Sequence, residues 1–143
     1  LYAHDISAAR LQQAEARATR AGAQIEFLAP GSWRDLKGRC DLVLVDAPCS
    51  GSGSWRRDPE AKWRLTPERL AELTALQDRV LAEAREALAP GGQLVYATCS
   101  LLALENTRRA RAFQTAHPEL APIAETHLST LLDGDGFYTL SLA

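Results

Sequence analysis

At 143 residues, 46% hydrophobic and 24% charged, the chain has the size and composition of one soluble globular domain with a real hydrophobic core. Its 16 basic and 18 acidic residues leave a net charge of −2, which excludes a global positive field that would gather nucleic acid. No apolar run is long enough to span a bilayer and no signal-peptide pattern occurs, so no membrane association is expected and a cytoplasmic location is.

Leu1-Tyr2-Ala3 reads as a strand end running into His4-Asp5. Ser7 can cap a helix from about Ala8 to Arg20, with Gly22 as its stop. Ala23 to Leu28 is a short strand, broken by Pro30-Gly31-Ser32. Asp41 to Val45 is a nearly continuous β-branched apolar run, the signature of a strand covered on both faces. Loop chemistry follows to about Leu65.

Thr66-Pro67-Glu68 is a strong helix start, and the helix should run to about Leu88, with Leu70, Leu73, Leu76 or Gln77, Val80, Leu81, Ala84 and Leu88 on one face. Pro90-Gly91-Gly92 ends it, and Gln93 to Thr98 forms a further strand. A helix from about Leu104 to Thr115 comes next, then a loop-rich stretch from Pro118 to Gly134, then a closing strand from Gly136 to Leu142. Strands alternating with helices predict an α/β domain with a mostly parallel sheet and flanking helices.

Ligands in such sheets bind outside the carboxyl ends of the strands. Asp5, the segment Asp46–Cys49, and Cys99 each lie just past such an end, so these groups should converge on one rim. An acid after the second strand of a Rossmann-like fold suits a ribose diol, although aspartates also cap helices there. Cys49 and Cys99 read either as small buried hydrophobes or as reactive thiols, and their equivalent rim positions favour chemistry.

The third cysteine, Cys40, falls near the start of its strand. An odd count without close pairs does not read as a disulfide framework. With no CxxC, and with His4, His117 and His127 in no ligand spacing, no metal site is expected. Between Trp55 and Arg69 the charge turns locally positive, with Arg56, Arg57, Lys62 and Arg64 interleaved with Trp55 and Trp63. That pattern suits single-stranded nucleic acid, and equally a solvated loop.

Several motifs carry a resemblance: DAPCSGSG at 46–53, the run from Arg56 to Gly92, LVYATCS at 94–100, Glu105-Asn106, and DGFY at 135–138. Together, and in this order, they resemble the Sun/Fmu-type (RsmB-like) RNA cytosine-5 methyltransferases, which include 16S ribosomal RNA enzymes. The resemblance implies a Rossmann-like methyltransferase fold with S-adenosylmethionine as methyl donor. It implies Cys99 as the nucleophile, Cys49 as the group that assists product release, Asp5 on the ribose hydroxyls of the cofactor, and Asp46 between cofactor and target base. RNA, expected to be ribosomal RNA, is the implied partner, with Arg56, Arg57, Lys62 and Arg64 toward its phosphates.

Two departures accompany it. The chain starts at about the family's second strand, without the first strand and its glycine-rich cofactor loop, so residues 1–143 read as one partial catalytic domain missing a central strand. The acid that the family uses for adenine is replaced after Phe27 by Leu28-Ala29, and the role does not transfer to Asp35. Three rival readings remain. An amino-methyltransferase would carry an aromatic residue where Cys49 stands. A DNA cytosine-5 methyltransferase would use Cys49 as nucleophile. A non-catalytic RNA-binding or assembly module would need neither thiol.

Overall fold

The computed structural model describes residues 1–130 and 134–143. Its elements in chain order are β1 (Tyr2–His4), α1 (Ala8–Ala21), β2 (Glu26–Leu28), β3 (Cys40–Asp46), α2 (Ala61–Arg64), α3 (Pro67–Ala87), β4 (Leu88–Thr98), α4 (Thr107–Ala116), β5 (Pro122–Leu128) and β6 (Phe137–Leu142). Short 3-10 turns occupy Ser32–Leu36 and Ser52–Ser54.

The strands form two sheets. β1 and β2 pair in parallel, while β3, β4, β6 and β5 lie in that order. Within the larger sheet β3 and β4 are parallel, and β6 runs antiparallel to both β4 and β5. β3 does not pair with β1: the second edge of each carries no hydrogen-bonded strand among the described residues. This interruption is where the sequence led us to expect a missing central strand.

The core lies between the larger sheet and α3 and α4. Leu94, Tyr96, Tyr138, Leu140 and Leu142 of the sheet face Leu81, Ala110 and Phe113 of the helices. Tyr96 and Tyr138 meet edge to face, with ring centroids 6.2 Å apart. Burying a side chain of this size contributes about 1.5–3 kcal/mol. The alternation of β3 divides its residues: Val43 and Val45 pack against this core, while Leu42 and Leu44 on the opposite face are 60% and 65% exposed. The run that suggests two covered faces has one covered here.

The capping signals are realised as read. The Ser7 side chain accepts from Arg10 N and the Thr66 side chain accepts from Arg69 N, so α1 and α3 start where the sequence places them. Three expectations need correction. β4 begins at Leu88, not Gln93, because Gly92 lets the chain pass close to β3; a Cβ at Gly92 would lie 2.8 Å from the Cys40 carbonyl oxygen. α4 begins at Thr107, because Glu105 and Asn106 are committed to side-chain contacts described below. Within the stretch expected to be a loop, Pro122–Leu128 is a strand whose residues are all exposed and which is held by pairing with β6. Residues 131–133 of that stretch lie outside the described residues.

Candidate active site

Parallel pairing of β3 and β4 sets the site. Asp46 stands opposite Ala97, and Ala47 N donates to Ala97 O at 2.9 Å, so the ladder carries one residue past β3. Pro48-Cys49 after β3 and Cys99 after β4 therefore leave the sheet side by side. The Cys49 and Cys99 sulfurs are 3.4 Å apart, and both are free thiols. The loop after Cys49 then folds back over β4: Gly53 N donates to Cys99 O at 2.9 Å, and Gly136 N donates to Gly53 O at 2.9 Å.

The two thiols are not equivalent. Cys99 is lowered from 9.0 to about 7, chiefly by the hydrogen bond from Cys49; burial and the negative charge of Asp46 oppose this, while the Cys99 backbone N–H and Ser54 hydroxyl assist. The same contact, together with burial, pushes Cys49 up. These opposite directions favour Cys49 as the donor and Cys99 as the acceptor in the contact, so that the proton the pair loses first comes from Cys99. A low-pKa, half-exposed thiolate beside a protonated thiol is suited to nucleophilic attack followed by proton delivery.

Behind the thiols lies a buried polar network that the sequence motifs name without explaining. Glu105 has no exposed surface. Its Oε1 accepts from Ser50 N at 2.8 Å and Gln77 Nε2 at 3.1 Å; its Oε2 accepts from Ser50 Oγ at 2.6 Å and Ser100 Oγ at 2.5 Å. Each serine hydroxyl has one proton, and both are used on Glu105. Ser100 Oγ then accepts from Ser52 Oγ at 3.0 Å and from Leu102 N at 3.0 Å.

The network reaches further on both sides. Gln77 Nε2 also donates to Pro48 O at 2.9 Å, and Tyr96 Oη donates to Glu105 O at 2.7 Å. Asn106 accepts from Thr98 Oγ1 and donates to Ser100 O. Four donors on one carboxylate offset the cost of burying it. Ser50, Ser100, Gln77 and Glu105 are site residues that the sequence reading left without a role; of the pair Leu76 or Gln77, it is Gln77 that turns inward on α3.

Asp5 and Asp46 line one cleft of about 500 Å³ at the carboxyl ends of β1 and β3, together with His4, Arg10, Ala14 and Arg17. Asp5 Oδ1 accepts from Ser7 N at 2.7 Å, and Oδ2 lies 3.6 Å from Arg10 Nη1. The volume falls in the range of small-molecule sites, and two carboxylates offer acceptors for hydroxyl and amino donors. These residues fit a nucleoside-type methyl donor. Asp46 both lines the cleft and acts electrostatically on Cys99, so cleft and thiols adjoin. Asp35 does not line it.

The basic loop divides into two kinds of residue. Arg57 is ion-paired with Asp135, and Arg64 with Asp58 at 2.7 Å and Glu60 at 3.3 Å. Lys62 lies over the Trp63 ring, 4.9 Å from its centroid, and Trp63 is 79% exposed. Arg56 and Lys62 have no ion pair among the described residues, so these two are the cations open to an anion. No cluster of three metal-ligating side chains, and no helix long and apolar enough to cross a membrane, occurs among the described residues.

Parallel strands flanked by helices, with acids and thiols gathered at the strand ends, define a Rossmann-like methyltransferase domain. The solved structure of PH0851 superposes with a TM-score of 0.90 at 29% identity, covering 99% of this chain and 36% of that one. NSun6 from Pyrococcus horikoshii shares the fold, with a TM-score of 0.77 at 21% identity over 99% of this chain and 40% of that one. The chain belongs to the 16S rRNA methyltransferase RsmB/F family, whose sequence profile matches residues 1–135. Ribosomal RNA small subunit methyltransferase B of Thermus thermophilus is 41% identical over 114 residues, covering 79% of this chain and 29% of the relative. The chain therefore spans less than a third of the length of that relative.

Proposed function

We propose that this chain carries the catalytic thiols of an S-adenosylmethionine-dependent RNA cytosine-5 methyltransferase acting on ribosomal RNA. One observation carries the reading: the Cys49 and Cys99 sulfurs stand 3.4 Å apart at the ends of adjacent parallel strands, in a contact that lowers Cys99 to about 7. Membership of the RsmB/F family supports the ribosomal RNA substrate. Asp5 and Asp46 would hold the cofactor, which supplies an electrophilic methyl group when bound.

The residues act on the base as follows. The Cys99 thiolate adds to carbon 6 of cytosine, forming an S–C bond and pushing the ring electrons toward carbon 5. Carbon 5 thereby becomes nucleophilic enough to be methylated. Asp46, which lines the cleft beside Cys99, would accept from the exocyclic amine as charge develops. A solvent water takes the proton from carbon 5, that C–H electron pair restores the carbon 5–carbon 6 double bond, and the carbon 6–sulfur bond breaks to release the Cys99 thiolate. Cys49, which holds its proton near neutrality, donates to that leaving sulfur. A base stacked in a helix cannot reach these thiols, so the substrate is single-stranded or flipped RNA, with Arg56 and Lys62 toward its phosphates.

The test mixes Cys49→Ala and Cys99→Ala variants with cytosine-containing RNA and S-adenosylmethionine and resolves them on a denaturing gel. Accumulated covalent RNA adduct in Cys49→Ala and none in Cys99→Ala is expected. Adduct that depends on Cys49 instead reverses the roles and favours DNA-type chemistry. Absence of adduct and methylation throughout, with RNA still bound, supports a non-catalytic RNA-binding module.

A further inference from the structure

We infer that Glu105 is the positioning residue of the thiol pair: its buried carboxylate ties the Cys49 loop to the Cys99 loop and so holds the two sulfurs in hydrogen-bonding contact. Three of its four donors belong to the residues next to the cysteines. Ser50 N and Ser50 Oγ follow Cys49, and Ser100 Oγ follows Cys99. The fourth donor, Gln77 Nε2, also holds Pro48 O, one residue before Cys49. Each loop is thus fastened within one residue of its cysteine, and both fastenings end on the same side chain.

Rigidity of this kind is what the sulfur contact requires. A thiol–thiolate hydrogen bond depends steeply on distance and angle and so tolerates little displacement, and the sheet alone does not fix residues beyond its ladder. Glu105 itself does not touch either sulfur in any hydrogen bond of the structure. Its influence on Cys99 runs through distance. When the loops part, Cys99 loses the donor that lowers it, and its titration returns toward 9.0. This rests on the reading of Cys99 as the attacking thiolate. The sulfur's titration, however, is measured without RNA or methyl donor, so failure of either idea shows separately.

The experiment is iodoacetamide alkylation of the protein as a function of pH, with the Cys99 and Cys49 peptides quantified by mass spectrometry. Glu105→Ala should raise the Cys99 midpoint from about 7 toward 9.0. Glu105→Gln keeps the length of the side chain and an acceptor for Ser50 N and Gln77 Nε2, and should fall between wild type and Glu105→Ala. Ser100→Ala cuts only the Cys99-side fastening and should also raise the midpoint, which keeps the test available should Glu105→Ala not fold. Leu81→Ala, in the core away from the loops, should lower thermal stability and leave the midpoint at about 7. A midpoint unchanged in folded Glu105→Gln and Ser100→Ala overturns the proposal. So does a shift in Leu81→Ala equal to that in the Glu105 variants, because the effect would then be general loosening.

Discussion

Replacing Cys49 with alanine removes the largest influence that holds Cys99 down to about 7. Burial and Asp46 remain to push the thiol up, against the Cys99 backbone N–H and the Ser54 hydroxyl, which pull it down. The midpoint should therefore return to near 9.0. At pH 7 the thiolate fraction falls from about one half to about one in a hundred, a roughly fiftyfold loss.

The rate does not fall as far as the fraction. A more basic thiolate is intrinsically more nucleophilic, with a Brønsted slope near 0.4–0.5, so about eightfold of the loss returns and the net rate at pH 7 drops only about sixfold. The midpoint of the alkylation profile is consequently the sharper reading. Cys49→Ser, which keeps a donor on a shorter reach, should lie between wild type and Cys49→Ala. The reasoning is refuted if Cys99 in folded Cys49→Ala still titrates near 7, or if the group titrating near 7 in the wild type is Cys49. The same variant should form its RNA adduct slowly at neutral pH, faster as pH rises, and retain it.

Two further perturbations probe the scaffold and the RNA surface. Gly53→Ala should destabilise the fold by at least about 1–3 kcal/mol in denaturant titration, because its Cβ would sit 2.1 Å from the Gly136 carbonyl oxygen and must force the two loops apart; a midpoint equal to wild type would contradict this. Arg56→Ala and Lys62→Ala should each weaken binding of single-stranded RNA and reduce the slope of log affinity against log salt by about 0.7. Arg57→Ala should change that slope less, because Asp135 already occupies its guanidinium; fluorescence anisotropy over a salt series that gives equal slopes for all three would remove the distinction.

Most of the elements were legible because their signals are local. Ser7, Gly22 and the Thr66-Pro67 pair mark helix ends by chemistry within one turn, and the β-branched run before Asp46 marks β3. β5 was not legible for the opposite reason. Pro122, Glu125 and His127 give it neither apolar alternation nor a covered face, and it exists because β6 offers a hydrogen-bonding edge. The basic loop shows what composition leaves out: Asp135 lies far along the chain, and only folding brings it to Arg57.

The site shows the same division more sharply. That Cys49 and Cys99 meet follows from sequence alone, because equivalent ends of two parallel neighbours must adjoin. Which of them is the thiolate does not follow, since both motifs present a cysteine after a strand and before a serine. The difference arises from the contact itself: one proton between two sulfurs stays on the more strongly destabilised anion, and the other sulfur becomes available near neutral pH. A contact of that kind depends on small distances, and the residue best placed to fix them is Glu105, which is tied across the fold to Ser50, Gln77 and Ser100. The Glu105-Asn106 motif names this residue, but no local pattern says what it does. It lies between a turn and α4, where an acidic residue reads as an ordinary feature of a helix start, and only its lack of any exposed surface reveals that it faces inward. The two thiols are therefore written in two short motifs, while the contact between them depends on a third residue whose place appears only when the loops are folded around it.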